Sequence, residues 1–312
     1  MLKVHPDFLT FTYPAVSLAG ACSVVNEFLN FSNFKSDFSL ESSSNKWIVK
    51  SPCGLLAIFK RSKDSLNCRL ELQGSFFSGC KDVYAPLHHF YKIKNANLTR
   101  LDLALDDYQS VITPLELYQI CQDGNFKFFQ KYQLIESSLR DSFSFSTLYF
   151  GSKSKGSDKL LRIYQAQPLH DLDCIRWELQ LRRSRAKVAL DLILDSFDKD
   201  FELASLIFGS VDFGTFGVNC TNSFKRFEWY QSLIDKLSAI PRKCTAPKPD
   251  SSLDTMIAWI RHSCSPSLGV LLRALGSDRF VKFILDASIT RMKPEHYSMI
   301  NYIKENNLLK DI

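Results

Sequence analysis

Two neighbouring segments of this sequence contain the residue types that an attack on a phosphodiester would need. Residues 147–154 and 160–164 alternate like strands and are joined by a stretch rich in Gly, Ser and Lys. Because side chains alternate along a strand, Tyr149 lies opposite the apolar face of its segment, and Arg162 and Tyr164 share the non-apolar face of theirs. A tyrosine hydroxyl can attack phosphorus and form a covalent link. An ordinary amphipathic hairpin would show the same alternation, so both interpretations stay open here.

A second pattern places acids and arginines on the same strand faces. The order base, apolar residue, acid, apolar residue occurs at residues 69–72, 100–103 and 176–179. Asp106 lies on the face of Asp102, with the small Ala104 between them. Carboxylates on neighbouring strands can hold a hard divalent cation such as Mg²⁺ or Mn²⁺. The alternative is a set of solvated salt bridges, each of which contributes ~0–1 kcal/mol.

The arginines of these segments could bind phosphate. Arg100, Arg162 and Arg176 each present a planar guanidinium group that fits phosphate oxygens in a bidentate manner. By contrast, His88 and His89 are adjacent in a segment that we predict to be a helix. Two such side chains cannot face one metal ion as a pair on a strand would, so we interpret them as a partly buried helix feature.

Composition limits the class of protein. The chain has 312 residues, 45% hydrophobic, with 25 Phe and a net charge of +6, which is enough apolar material for a large core and is compatible with a polyanionic partner. Its nine Cys include no C-x-x-C pair, so we predict free thiols in a reducing cytoplasm. We find no apolar signal region and no run of transmembrane length, and we predict no membrane association.

The order of predicted elements indicates an α+β fold. Strands are predicted at residues 7–13, 47–51, 55–59, 68–73, 99–107, 147–154, 160–164 and 174–182. Helices are predicted at 16–31 and 83–94, after a cap at Thr113, and after a cap at Ser184. Residues 208–216, rich in Gly and Phe, are interpreted as a loop or boundary. From Phe224 onward the pattern changes to short helices broken by prolines, so a helical C-terminal region should follow the sheet.

Taken in order, these motifs resemble those of a known family. The succession of residues 100–107, 147–154, 161–164 and 176–182 resembles the Rep_trans family of rolling-circle replication initiators, which serve staphylococcal-type plasmids and filamentous phages. Residues 7–12 and 71–74 also fit its early strands. The resemblance covers about residues 5–195 and continues weakly into the C-terminal helices. Each motif alone has low specificity, but the four in order are fairly specific.

The resemblance implies a fold and an activity. It implies a relaxase-like nicking domain at residues 1–215, built on an antiparallel sheet with flanking helices, and a helical DNA-binding region at 216–312. The enzyme would cut one strand at the replication origin, stay attached through Tyr, and later rejoin the ends. The implied partner is origin DNA in a bacterial cytoplasm, with a host helicase and a second copy of the chain as candidate partners.

It also implies roles for particular residues. The candidate nucleophile is Tyr164, with Tyr149 a close second, and the residues for each role are as follows: Arg162 and Arg100 for catalysis beside the tyrosine; Asp102, Glu178 and Asp106 for a Mg²⁺ or Mn²⁺ ion; Lys153, Arg176 and Arg182 for DNA.

This sequence departs from the family pattern after the second tyrosine. The family usually has an acid or similar residue and then Lys, whereas Tyr164 is followed by Gln165 and Ala166. Lys153, Lys155 or Lys159 from the preceding loop would have to substitute, or catalysis is weakened. Lys153 also stands where Arg is common, which keeps the charge but loses the bidentate fork. Two alternatives therefore remain: a DNA-binding protein that has lost nicking, and a mobilisation relaxase that starts plasmid transfer.

The C-terminal region is basic, with aromatic residues interleaved. Such a surface could grip a DNA backbone, and a solvated helical surface with a Trp core is the alternative. The basic residues are Lys225, Arg226, Lys236, Arg242, Lys243, Lys248, Arg261, Arg273, Arg279, Lys282, Arg291 and Lys293, and the aromatic ones are Trp229, Tyr230 and Trp259.

Overall fold

The structure is a computed structural model, and its first unit is dominated by one large sheet. It describes residues 1–15, 17–31, 39–43, 45–61, 66–138, 144–152, 154, 157–166, 174–217, 220–245, 257 and 260–289. The chain divides into two units, Met1–Ala246 and Pro247–Ile312. The sequence predicted a nicking domain that ends at residue 215, whereas the first structural unit ends at Ala246. A functional boundary at residue 215 stays a prediction.

The strands of the first unit are these: β1 Leu2–Ala15, β2 Ser39–Ser43, β3 Lys46–Ser51, β4 Leu55–Arg61, β5 Leu66–Leu72, β6 Asn97–Asp107, β7 Phe126–Lys127, β8 Tyr132–Ser138, β9 Ser144–Gly151, β10 Lys159–Ala166, β11 Cys174–Arg182, β12 Asp212–Gly217 and β13 Cys220–Arg226. Ten of them form an antiparallel sheet in the order β2-β3-β4-β5-β1-β6-β11-β10-β9-β8. The other three form a small sheet in the order β13-β12-β7.

Helices flank the large sheet. In the first unit they are α1 Leu18–Leu29, α2 Gly74–Ser78, α3 Ala85–Phe90, α4 Pro114–Gln122, α5 Arg183–Asp195, α6 Lys199–Phe208 and α7 Glu228–Lys236. The second unit contains a π-helical turn, Ile260–Cys264, followed by α8 Ser265–Leu275 and α9 Ser277–Ile289. No helix in the part of the chain that the structure describes is long and apolar enough to cross a membrane.

The core lies on one face of the central strands. Alternation directs Trp177 and Leu179 of β11, and Leu103 of β6, to this face, and all three are fully buried. Helices α5 and α6 pack here, with Ala189 and Leu203 among their buried residues. The apolar face therefore holds the sheet in place and leaves the opposite face for polar side chains.

Most predicted elements are confirmed where hydrophobic alternation or a cap defined them. Strand β11 has the predicted bounds, β6 extends the prediction by two residues, and α4 begins at Pro114. Thr113 caps α4 through a capping box with Glu116, whose backbone N–H donates to the Thr113 hydroxyl. The α+β prediction with a helical C-terminal region is likewise confirmed.

Three local predictions were wrong. Residues 212–217 form β12 and not a loop. Gly214 permits the pairing with β13, because a Cβ at this position would lie 2.2 Å from the Lys225 carbonyl oxygen. Residues 220–226 form β13, so the helical region begins later than Phe224. Helix α5 begins at Arg183, so Ser184 lies inside the helix and is not its cap.

Candidate active site

Three rows of directly paired residues cross the polar face of strands β9, β10, β11, β6 and β1. Residues directly opposite each other in an antiparallel pair point to the same face, so the strand register fixes each row. In that strand order the rows are Gly151, Leu160, Gln180, Asp102 and Phe8; then Tyr149, Arg162, Glu178, Ala104 and His5; then Thr147, Tyr164, Arg176, Asp106 and Lys3. The predicted arginines, acids and both tyrosines thus share one face.

Asp102 anchors the first row and is fully buried. Its carboxylate accepts two hydrogen bonds from Arg100, one of them 2.8 Å from Nε, and a third from the Gln180 amide at 3.3 Å. The guanidinium group of Arg100 also lies 4.1 Å from the centre of the Phe8 ring, in cation–π geometry. Burial of Asp102 is therefore compensated by charge-assisted hydrogen bonds.

Glu178 connects the second row to Tyr164. One of its oxygens, Oε1, accepts a hydrogen bond from Arg162, and the other, Oε2, accepts one from the Tyr164 hydroxyl at 3.0 Å. The same Arg162 nitrogen lies 3.6 Å from Asp102 Oδ2. Arg162 Nε is buried and has no hydrogen-bond partner among the described residues. Arg162 thus contacts two acids and has one buried donor that no described residue satisfies.

Asp106 has a different set of partners in the third row. Arg176 donates to it from Nε at 2.6 Å, and His5 Nε2 lies 3.1 Å from its Oδ2. Burial is the largest influence and raises the pKa of Asp106, but the hydrogen bonds from His5 and Arg176 outweigh it and bring the pKa to about 2. Arg176 also contacts Asp7 Oδ1 at 3.3 Å. Asp106 is therefore a carboxylate held ionised between two basic groups.

The two tyrosines lie one row apart on adjacent strands. Tyr149 is opposite Arg162 and Tyr164 is opposite Thr147, so their Cα atoms are diagonal neighbours about 7–8 Å apart. Burial raises the pKa of Tyr164 above its ordinary value, while nearby Arg176 lowers it in part. Tyr149 lines a surface pocket of 560 Å³ together with Lys131, which precedes β8, and residues of β8 and β9. Tyr164 therefore sits among the acids and arginines, and Tyr149 at their border.

The predicted metal ligands do not all meet. Asp102 and Asp106 are four residues apart on one strand, about 13 Å, which is too far for one ion to contact both. Among the described residues, no group of three or more His, Cys, Asp and Glu side chains is arranged to hold an ion. Asp102 and Glu178 do lie near one cationic group, that of Arg162, so these two carboxylates face a common positive charge.

The other predicted residues lie at the margin of this face, away from it, or outside the described residues. Arg182 ends β11 opposite Arg100, whereas Lys153 and Lys155 lie outside the described residues. Lys159 pairs with Leu181 and so points to the apolar face, away from Tyr164; as a substitute for the missing lysine it was wrong. His89 lies 2.8 Å from Glu27 and packs edge-on against the Phe28 ring, in the short helix α3.

The sequence did not point to His5, Asp7 or Gln180 as site residues. Strand β1 begins at Leu2, five residues before the predicted start. Pro6 interrupts the strand pattern in the sequence, but it sits at a register shift, where a strand tolerates a residue without an N–H donor. The signal for Gln180 was available, since it follows Glu178 by two positions and must share its face. No comparable local signal placed His5 beside Asp106, which is 101 residues away.

Some of the basic and aromatic residues that the sequence suggested for DNA binding are paired with acids or buried. Tyr230 is fully buried and stacks on Trp177, so it belongs to the core. Arg226 pairs with Asp212 at 2.8 Å, and Arg242 pairs with Glu202 at 3.0 Å. Trp259 lies outside the described residues. The interpretation of Tyr230 as a core residue is therefore confirmed, while the DNA-binding role of the region stays a prediction.

Comparison with known proteins shows similarity in sequence and in fold. A protein of Bacillus subtilis (strain 168) named "Putative DNA relaxase NicK" is 28% identical over 248 residues, which covers 72% of this chain and 64% of the relative. The chain thus spans just under two thirds of that relative's length. The solved structure of a rolling circle replication initiator protein from Geobacillus stearothermophilus has a similar fold, with a TM-score of 0.61, 21% identity, and coverage of 79% of this chain and 99% of that chain.

The family match covers more of the C-terminal part than the motifs indicated. The Rep_trans family, described as replication initiation factors, matches residues 96–285, from β6 through the acid and tyrosine strands and into the second unit. Strands β1–β5 lie outside that match. Since the match covers more than half of the chain, this protein belongs to the Rep_trans family of replication initiation factors.

Proposed function

We propose that this protein initiates rolling-circle DNA replication by cutting and rejoining one strand at the origin, with a tyrosine as nucleophile. The observation that carries the proposal is the polar sheet face, where Tyr164, Arg162 and Glu178 contact one another or a common partner. Family membership supports the same activity. DNA is the proposed substrate, and a host helicase and a second copy of the chain are proposed partners.

The contacts of Tyr164 support a specific course of reaction. Its hydroxyl donates to Glu178 Oε2, and burial raises its pKa, so it needs a base in order to attack. Glu178 takes the proton as the tyrosine oxygen bonds to phosphorus. The bond from phosphorus to the sugar oxygen of the next strand segment breaks, and that oxygen takes a proton from solvent. Rejoining reverses these steps, with Glu178 returning the proton to Tyr164.

Arginine side chains would stabilise the charge that develops on the phosphate. The Arg162 side chain is partly exposed and its buried Nε has no partner among the described residues, so a shift of the guanidinium group would let it donate to a phosphate oxygen. Arg176 lies beside Tyr164 on β11, opposite it in the register. These two groups would orient the phosphodiester for attack, while Arg100 holds Asp102 in place.

We also propose a Mg²⁺ or Mn²⁺ cofactor. Asp102 and Glu178 Oε1 would hold it, since these carboxylates already share one cationic partner. When bound, such an ion polarises the phosphodiester and neutralises charge in the transition state. Asp106, the third predicted ligand, would act from a distance by fixing Arg176.

The decisive experiment is denaturing electrophoresis after mixing the protein with Mn²⁺ and the supercoiled replicon that encodes it. Wild type would be run beside Tyr164→Phe and Tyr149→Phe. We expect a covalent protein–DNA band that disappears only with Tyr164→Phe. Loss only with Tyr149→Phe would move the nucleophile to β9, and a band that survives both changes would refute a tyrosine of this face as the nucleophile.

Two alternatives have observations in their favour. The relaxase name of the Bacillus subtilis relative favours a role in mobilisation, which a dependence of conjugation and not of replication on this protein would reveal. Gln165 and Ala166, in place of acid and Lys, favour a DNA-binding protein without catalysis. Origin binding by wild type without any covalent band would support that second alternative.

A further inference from the structure

A small basic pocket lies on the apolar side of the sheet, away from the tyrosines. It has a volume of 170 Å³, more than one water molecule needs and enough for a phosphate group. Its walls come from the start of β10, the end of β11, helices α5 and α6, and residues 243–245. Three cationic side chains line it: Lys159, Arg185 and Lys243.

The cations of this pocket are held mainly by groups other than carboxylates. Lys159 Nζ donates to the Ser210 carbonyl oxygen at 3.2 Å and lies 3.9 Å from the centre of the Phe129 ring. Lys243 Nζ lies 3.7 Å from the centre of the Phe128 ring. These contacts orient the ammonium groups but leave their positive charges uncancelled.

Arg185 has an acidic partner in this pocket. Its Nε donates to Asp158 at 2.8 Å, and another of its nitrogens donates to the Cys244 carbonyl oxygen. Among the described residues that contact the three cations, Asp158 is the carboxylate, so three positive charges face one negative charge. Burial is the largest influence on Lys159 and, with repulsion from Arg185 and Lys243, lowers its pKa to about 8.

A cluster with surplus positive charge in a partly buried site is costly unless an anion joins it. We propose that this pocket binds one phosphate group through Lys159, Lys243 and Arg185. The group is either a phosphodiester of a bound DNA strand or a free phosphate ion. The site is separate from the tyrosine face, and the proposal does not depend on nicking activity.

The first test measures thermal unfolding of the full chain in inorganic phosphate and in chloride at equal ionic strength and pH. We expect phosphate to raise the melting temperature of wild type. Lys159→Met and Lys243→Met should each remove at least half of that rise, whereas Lys60→Met, an exposed lysine on β4, should keep it. Lys243 is exposed, so its replacement should not impair folding even if that of Lys159 does.

The second test separates the two sources of phosphate. Binding of a fluorescent single-stranded oligonucleotide would be measured at several salt concentrations for the same four proteins. Affinity falls as salt rises. If a phosphate of the DNA strand occupies the pocket, this dependence of log affinity on log salt should be less steep by about 1 in Lys159→Met and in Lys243→Met than in Lys60→Met. If the two pocket variants lose the phosphate-dependent rise in melting temperature but keep the salt slope of Lys60→Met, the pocket binds free phosphate and not a DNA strand. Equal behaviour of all four proteins in both tests would overturn the proposal.

Discussion

Glu178 has two tasks because its two carboxylate oxygens face different groups. Oε2 accepts a hydrogen bond from the Tyr164 hydroxyl, and Oε1 binds Arg162 near Asp102. A single carboxylate on β11 thereby connects the proposed nucleophile to the arginine that would bind phosphate. Alternation in the sequence predicted that these side chains share a face. The division of Oε1 and Oε2 between two partners depends on the strand register, which the sequence does not state.

Replacing Glu178 by Gln should therefore impair catalysis more than folding. Gln keeps the shape and an acceptor oxygen but cannot take up a proton, so we expect the rate of strand cleavage to fall about 10²–10⁴-fold. The matched control is Glu202→Gln, another buried glutamate paired with an arginine, on α6. Single-turnover cleavage of a labelled oligonucleotide measures the effect. Equal cleavage rates in the two variants would refute the proposed base.

Asp106 provides a second test at this scale, through the dependence of stability on pH. Its pKa is about 2 in the folded protein against an ordinary 3.8, so ionised Asp106 stabilises the fold above pH 4, and this contribution disappears as the pH falls toward 2. We expect Asp106→Asn to lower the free energy of unfolding by about 2 kcal/mol at pH 5, and by less as the pH decreases. Urea unfolding of both proteins at pH 5, 4 and 3 measures this difference. A difference that does not change with pH would mean that His5 and Arg176 do not depress the pKa.

At the scale of elements, the sequence predicted strands with a strict apolar face and missed strands without one. Strand β11 alternates throughout and was found with its bounds, whereas β13 (Cys220–Arg226) has only one large apolar residue, Phe224, and lies at the edge of the small sheet. Strand β12 was missed because Gly214 resembles a loop signal. A glycine is needed at position 214 because the β13 backbone approaches closely there, and no local sequence pattern reveals a contact between two segments.

A pair of glycine substitutions tests this explanation. In Gly214→Ala the new Cβ would lie 2.2 Å from the Lys225 carbonyl oxygen, so the backbone must shift, and we expect a loss of about 1–3 kcal/mol of stability. In Gly20→Ala, within α1, the nearest neighbour is Ser17 Oγ at 3.5 Å, and we expect a gain of up to about 1 kcal/mol. Urea unfolding distinguishes the two signs. A Gly214→Ala protein as stable as wild type would show that β12 and β13 are not held as described.

For the whole molecule, the two-unit division predicts that catalysis and origin affinity can be separated. Every described residue of the candidate site lies in Met1–Ala246. We expect a chain ending at Ala246 to unfold cooperatively and to cleave a single-stranded oligonucleotide at a rate near that of the full chain. Its affinity for duplex origin DNA should fall at least tenfold, since basic residues of the second unit are lost. Cleavage measurements and a gel-shift titration check both parts, and loss of cleavage in a folded 1–246 chain would contradict the division.

The arginines of the polar sheet face have a further consequence for how ligands influence one another. Asp102 and Glu178 are neutralised by Arg100 and Arg162, so the face is close to electrically balanced before any strand arrives. Arg100 keeps its hydrogen bonds to Asp102, but a DNA phosphate that draws Arg162 away would leave Glu178 Oε1 free and remove the cation shared by the two carboxylates. If a divalent ion then binds them, thermodynamic linkage requires reciprocity: DNA must increase the affinity for the ion by the same factor by which the ion increases the affinity for DNA. Binding of DNA and of the ion would then be positively cooperative, so each ligand would bind more tightly when the other is present.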